Sequence, residues 1–455
     1  MITDLESMFK EGGSWPPDSE KDRINLYTEN RKLREGEHSS VFKDLARFQK
    51  QERDLDLEII LNYFWLVTKK TADHLFAPPP LISLGKQTDT EDTYLQDLLT
   101  RLEFNKQLRE SCYDVSPFGE GIIKVRLLDG VADLEVTSPD LWYPVVKPGS
   151  IREVLYHVLA YRFTQALETG AASYLKVEIH EKGKITHRIY GLDSENKIKK
   201  AEDLGGFPEF EGLKEEESTG VKDFLVVPIH NQRTSEKVYG MSDYGLDLKS
   251  IIRGLERAYS LKQNILEVFA SPSIIGPRNL MDYDPATKKK RFLPGRYYGV
   301  NFDPGEQPFI PQALTWDAHL TEVKDHILQL KDEFFALAEI PPAALASELA
   351  GTAESGTALR LRLDPLLSKV NRFKEEYSPA IPKIIQLASQ LEGHTLEGIS
   401  VKWQDSLPKI PLEEATRLGI LKREGIISRQ AALIEMGYDT DKAAEIAEQA
   451  ANEIL

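Results

Sequence analysis

The sequence predicts an α+β chain of several domains, and three observations carry that prediction. At 455 residues the chain exceeds what one hydrophobic core organises. Its hydrophobic spacing changes from helical to alternating near Gly121 and returns to helical after Ile229. Two long helical patterns, Asp243 to Ala270 and Thr315 to Ala338, flank a Pro- and Gly-rich, partly basic stretch.

Taken in order, residues 1–16 hold Gly12-Gly13 and Trp15-Pro16-Pro17 without periodicity and read as a flexible arm. Ser19 to Lys32 reads as a charged, exposed helix, and Val41 to Phe76 as a helix with apolar residues from Phe42 to Val67. Pro78-Pro79-Pro80 stops it. Asp92 to Cys112 predicts a further helix burying Leu95, Leu98, Leu99, Leu102 and Leu108, ended by Gly119 and Gly121. Ile122 to Leu127 and Ala132 to Val136 form a hairpin about Asp129-Gly130, because Asp-Gly supplies the positive φ of a tight turn. Strands follow at 142–146, 154–163, 174–181, 184–190 and 224–229, and the acidic segment Ala201 to Lys222 reads as an exposed loop.

In the first long helical pattern, Tyr244, Leu248, Ile251, Leu255 and Ala258 make one apolar stripe. In the second, Leu320, Val323, Ile327, Leu330, Phe334 and Leu337 do the same. Two such helices around a small module predict a stalk with the module at its tip. From Leu359 to Leu391 an unbroken apolar stripe contains Pro365, Pro379 and Pro382, which predicts a long helix kinked at the first and bent or broken at the others. Ile399 to Trp403 reads as a strand returning to the body, and three short helices close the chain.

Composition narrows the function. Hydrophobic residues make up 41% and charged residues 29%, as in ordinary folded proteins, and no apolar run is long enough for a bilayer. Met1 to Glu6 lack a signal peptide's basic and apolar regions, so cytoplasmic synthesis is expected. The single cysteine, Cys112, forbids an intramolecular disulfide and any Cys-based metal cage, and reads as a buried small hydrophobe. The net charge of −16 opposes non-specific wrapping of nucleic acid. P-loop, dinucleotide-binding, zinc-protease and nucleophile-elbow motifs are all missing from the sequence. His180 and His187 face each other across a Lys182-Gly183 hairpin and read as surface histidines. Asp54 with Asp56, Asp89 with Asp92, and Asp129 with Asp133 could hold Mg²⁺, although carboxylates adjacent in sequence are more often solvated faces or caps. No cofactor is called for.

Val238-Tyr239-Gly240-Met241-Ser242-Asp243 leading into a long helix, and Ala353-Glu354-Ser355-Gly356-Thr357-Ala358-Leu359-Arg360 after the second helix, resemble portal proteins of tailed double-stranded DNA bacteriophages, the siphophage-type branch. Asn62-Tyr63-Phe64-Trp65, the helix end from Phe76 to Pro80, Ser138 to Pro144 and Gly425-Ile426-Ile427-Ser428 carry the same resemblance, which spans nearly the whole chain. It implies a non-enzymatic ring, twelve-fold in the virion and possibly thirteen-fold when isolated, at a capsid vertex and assembled in the host cytoplasm. It further implies a wing at 1–241, stem helices at 242–270 and 315–339, a clip at 271–314 and a tunnel loop at 340–357. A long wing helix with its return strand would occupy 358–408, and a crown 409–455.

The implied partners are double-stranded DNA in the channel, the terminase large subunit on the clip, the major capsid protein, scaffold, and a head-completion adaptor, with no membrane. The tunnel loop would contain Ala346, Ser347, Glu348, Leu349, Ala350, Gly351 and Thr352. Lys249, Arg253, Arg257 and Lys262 are candidates to face the channel, or to pair between subunits with Asp317, Glu322, Asp325, Asp332 and Glu333. Lys288, Lys289, Lys290 and Arg291 are candidate terminase or adaptor contacts. An acidic ring would keep DNA from sticking. The competing readings are a metal-dependent nuclease using an acidic cluster and a capsid adaptor without a channel.

Overall fold

The computed structural model describes residues 2–42, 59–85, 89–167, 170–270, 274–277, 282–284, 289–291, 297–301, 311–313, 320–345, 356–406, 411–436 and 440–452. Helix and sheet are mixed throughout. The N-terminal part carries α1 (Leu5–Met8), α2 (Lys21–Glu35), α3 (His38–Val41) and α4 (Tyr63–Phe76), then strand β1 (Leu81–Leu84), α5 (Asp89–Arg101) and α6 (Phe104–Phe118).

Several expectations change here. The first residues are packed rather than loose: Ile2 bridges to Val145, and Phe9 stacks on Tyr190 and Trp15. Their apolar side chains fill one face of a sheet, which needs no helical period. Helix α2 is not an exposed helix, because Tyr27, Asn30 and Leu33 are buried. Its charges tolerate this through partners: the Arg23 guanidinium bonds Glu20 and lies over the rings of Tyr27, Tyr143 and Tyr239. Val41 and Phe76 do not share one helix. Asn62 interrupts, accepting from Trp65 N–H as the cap of α4. The pattern from Asp92 to Cys112 likewise divides where Glu103 adopts φ 45°.

The alternating region forms two sheets. In the first, β10 (Val226–His230), β2 (Glu120–Leu128) and β3 (Val131–Thr137) lie side by side. The second runs β4 (Trp142–Val146), β5 (Val154–Leu167), β6 (Gly170–Glu181), β7 (Lys184–Leu192), β8 (Ile198–Glu202), with β9 (Glu216–Ser218) pairing β7. Both hairpin turns form where expected, with Gly130 and Gly183 at positive φ. His180 and His187 are not surface residues and do not stand opposite each other: both are buried, His180 is in register with Ile185 and His187 with Glu178, and His180 Nδ1 and both ring nitrogens of His187 have no hydrogen bond.

Helix α7 (Leu246–Ala270) leaves this body and α8 (Leu320–Leu337) returns to it. The pair is antiparallel: Phe64 touches Tyr244 just before the start of α7 and Phe334 near the end of α8. Beyond them lie β11 (Ile274–Pro277), β12 (Asp282–Asp284), β13 (Lys289–Arg291), β14 (Tyr297–Val300) and β15 (Gln312–Ala313). Helix α9 (Gly356–Leu391) then runs unbroken through all three prolines. Val370, Phe373, Tyr377, Ile381, Ile384 and Ile385 are buried along it, and this continuous burial outweighs the lost backbone bonds. Strand β16 (Ile399–Lys402) returns to pair β1, followed by α10 (Pro411–Arg423), α11 (Arg429–Glu435) and α12 (Thr440–Asn452).

One large core joins α4, α5, α6, β2 and β3 to the inner ends of α7 and α8 and to α9. The hairpin is therefore rooted inside the body. The root is where the most specific side-chain geometry lies.

Candidate functional site at the root of the helix hairpin

Residues 238–245 connect the body to α7, and nearly every one is held by a separate partner. Tyr239 Oη donates to Glu20 at 2.8 Å. Gly240 N donates to Glu120 Oε1 at 2.6 Å, and Met241 N to the Asn231 carbonyl at 2.9 Å. Ser242 Oγ donates to the Pro117 carbonyl at 2.6 Å, while Tyr244 Oη reaches Phe64 O and Thr68. Only glycine fits at 240, because a Cβ there would overlap the carbonyl oxygens of Asn231 and Gly119.

Asp243 is the centre. Its Oδ2 lies 2.9 Å from Lys369 Nζ on α9 and accepts from Ser116 Oγ, while Oδ1 accepts from Asn231 Nδ2. Lys369 also donates to the Ala338 carbonyl, just past α8, and Arg372 one turn further on pairs with Glu339. Two cations on α9 thus grasp the inner ends of both hairpin helices. Glu339 sits at φ 58°, a conformation that non-glycine residues seldom adopt.

Two further pairs fasten α7 to the N-terminal helices, the first buried on both sides and the second with its carboxylate exposed. Glu256 Oε1 takes His38 Nδ1 at 2.5 Å and the Leu61 N–H at 2.9 Å. Lys249 bonds Glu29 at 2.7 Å. The Lys249 side chain is buried inside this chain, which corrects its expected place facing a channel. Arg253 and Arg257 are exposed on α7, and Lys262 is half-buried. Lys289, Lys290 and Arg291 form β13, in register with Asp284, Tyr283 and Asp282 of β12. Lys288 and residues 346–352 lie outside the described residues, as do Asp54, Asp56 and Asp317. Asp133 pairs with Arg126 at 2.8 Å. Among the described residues no three His, Cys, Asp or Glu side chains stand together as metal ligands, and no helix is long and apolar enough to cross a membrane.

Burial shifts several of these groups. It pushes the Glu120 carboxyl up to about 7, although Tyr27, Arg23 and Gly240 all favour its ionised form. It drives His157, which accepts from Trp142 Nε1, down to about 3, and His230 well below its ordinary value.

Sequence reading missed Lys369, Arg372, His38 and Glu256. Their signal was a charge beside an apolar stripe, Lys369 next to Val370 and Glu256 next to Leu255. It carried no information on partners more than 200 residues away for the His38–Glu256 pair.

The charged groups of the root are engaged in holding one element to another, which is the arrangement of a structural scaffold. The sequence profile of the family described as phage portal protein, SPP1 Gp6-like, matches residues 17–454, and the chain belongs to that family. It is accordingly a portal protein, a unit of the ring at a capsid vertex through which DNA is packaged. Similar solved chains come from gene transfer agent particles. They include the neck of an empty particle with C6 symmetry (14% identity, TM-score 0.46, 83% of this chain and 90% of that one). The virion of a native particle (14%, 0.42, 83% and 89%) and the native neck with C12 symmetry (12%, 0.42, 83% and 89%) also match. No curated protein sequence matches the chain.

Proposed function

We propose that twelve copies close into a ring in the virion, and that DNA moved by a separate terminase passes along its axis. The family match over residues 17–454 carries this reading. In it, residues 1–241 with 358–408 form the wing, α7 and α8 the stem, 271–314 the clip, 340–357 the tunnel loop and 409–455 the crown. The large subunit of terminase docks on the clip during packaging, with Lys288 to Arg291 among its contacts, and head-completion and tail proteins attach there afterwards. The capsid protein and scaffold meet the outer wing, and assembly takes place in the host cytoplasm.

Exposed leucines support the assignment of the stem. Leu261, Leu266, Leu328 and Leu337 lie open on the hairpin, which two helices alone do not cover. Neighbouring copies would cover them. Arg253, Arg257 and Lys262 then either face the channel or pair with Glu322, Asp325, Asp332 and Glu333 of the next copy. Native mass measurement of the purified chain tests the reading: a closed ring of twelve or thirteen is expected, and a stable monomer would overturn it.

A further inference from the structure

The Glu120 carboxyl is wholly buried at the stem root. Its Oε1 accepts the Gly240 N–H and its Oε2 the Tyr27 hydroxyl. Gly240 has no side chain, so this acid is what holds the stretch between Tyr239 and Met241 from within. The groups facing it come from every packed element: Tyr27, Arg23 and Glu20 from the N-terminal helices, Tyr239 from the root itself, its register partner His230 from β10, and Arg233 from the following loop. Arg23, the nearest cation, is already bonded to Glu20 and to the carbonyls of Pro139 and Trp142.

A glutamine at 120 would accept the same Gly240 N–H and would never ionise. What the acid adds is a dependence on one proton. We propose that Glu120 is a proton-operated lock on the stem root, closed around Gly240 when the carboxyl is neutral and loosened when it ionises. In the neutral form Oε1 still accepts from Gly240, while the Oε2 proton is donated to Tyr27 Oη, whose hydroxyl reverses direction. When that proton leaves for solvent, a charge is left wholly buried at the root, and although Tyr27, Gly240, Arg23 and Arg233 offset part of its cost, the lost hydration disfavours the closed packing. Its titration near neutrality, caused by burial, fits this role. The inference concerns the fold of one chain and stands apart from the ring.

Hydrogen exchange of peptides spanning residues 236–245, measured on the full chain from pH 5 to 8 and corrected for intrinsic rates, tests the lock. Relative to Glu120→Gln, the wild-type opening constant is expected to rise by up to about tenfold per pH unit until the carboxyl is fully ionised. Identical pH profiles for the two proteins would overturn the proposal. Should the glutamine variant fail to fold, infrared titration of the wild type decides: a protonated-carboxyl band should disappear with a midpoint near 7. Tyr27→Phe should move that midpoint upward, because the phenol favours the ionised form. A band already lost at pH 5 would overturn the lock.

Discussion

Lys369 Nζ lies 2.9 Å from Asp243 Oδ2, and both side chains are buried, at 4% and 7% exposure. The pair joins the segment leading into α7 to the long helix α9, and through the Ala338 carbonyl the same ammonium reaches the end of α8. One cation thus fixes the angle at which two helices leave the body.

Removing one partner leaves the other charged and buried. Lys369→Ala is expected to cost about 3–5 kcal/mol, and Lys369→Met with Asp243→Asn less than the sum of the single changes. Urea unfolding of wild type, Lys369→Ala, Lys369→Met, Asp243→Asn and the double variant measures this, and additive costs would show that the pair is not coupled.

Gly240→Ala is expected to be much worse than Gly130→Ala. A Cβ at 240 overlaps two backbone oxygens, so the root must shift, at a cost on the order of 4 kcal/mol or more. Gly130 has φ 82° and open space around it, so alanine there meets only the left-handed penalty of about 1–2 kcal/mol. Thermal unfolding midpoints should rank wild type, then Gly130→Ala, then Gly240→Ala.

The buried sheet histidines predict acid sensitivity. His157 is held neutral in the fold, down to about 3 from 6.5, so the folded chain binds fewer protons than the unfolded chain between those values. Stability is fully present above 6.5 and falls as pH drops toward 3, by up to about tenfold in the folding constant per pH unit. Glu120 acts with the opposite sign: its raised value makes the fold more stable in acid, an advantage lost as pH rises from 4.5 through about 7. His157→Gln should flatten the loss of melting temperature between pH 6.5 and 4. An unchanged slope would assign the acid response elsewhere.

Deleting residues 346–350 is expected to leave rings intact and impair packaging or retention of DNA. Native mass and a packaging assay read the two effects separately, and undiminished packaging would remove the loop from the mechanism.

Changing Leu261 and Leu328 together to Asp should abolish ring closure while the monomer keeps its circular dichroism. Intact rings would show that the exposed leucines of the α7–α8 hairpin do not lie between copies.

Sequence alone determined much of this protein. Helical and alternating periods located the strands about Asp129-Gly130 and Lys182-Gly183, the two hairpin helices and the long helix, because local burial patterns repeat at fixed intervals. Short motifs such as Val238 to Asp243 and Ala353 to Arg360, taken together in their order and spacing, pointed to the family. Only the tertiary structure decided what those motifs hold. Gly240 stands in sequence only as one member of such a motif, yet it is required because the carbonyls of nearby Asn231 and sequence-distant Gly119 close on it. Lys249 reads in sequence as a candidate to face a channel or pair between subunits, whereas in the fold it is bound to Glu29 of its own chain. The prolines of α9 argued for a kink at Pro365 and a bend or break at Pro379 to Pro382, and burial along the helix prevented the break. Periodicity reports which face is buried; it does not report against what, and at this root the partners of each charge come from other elements of the fold.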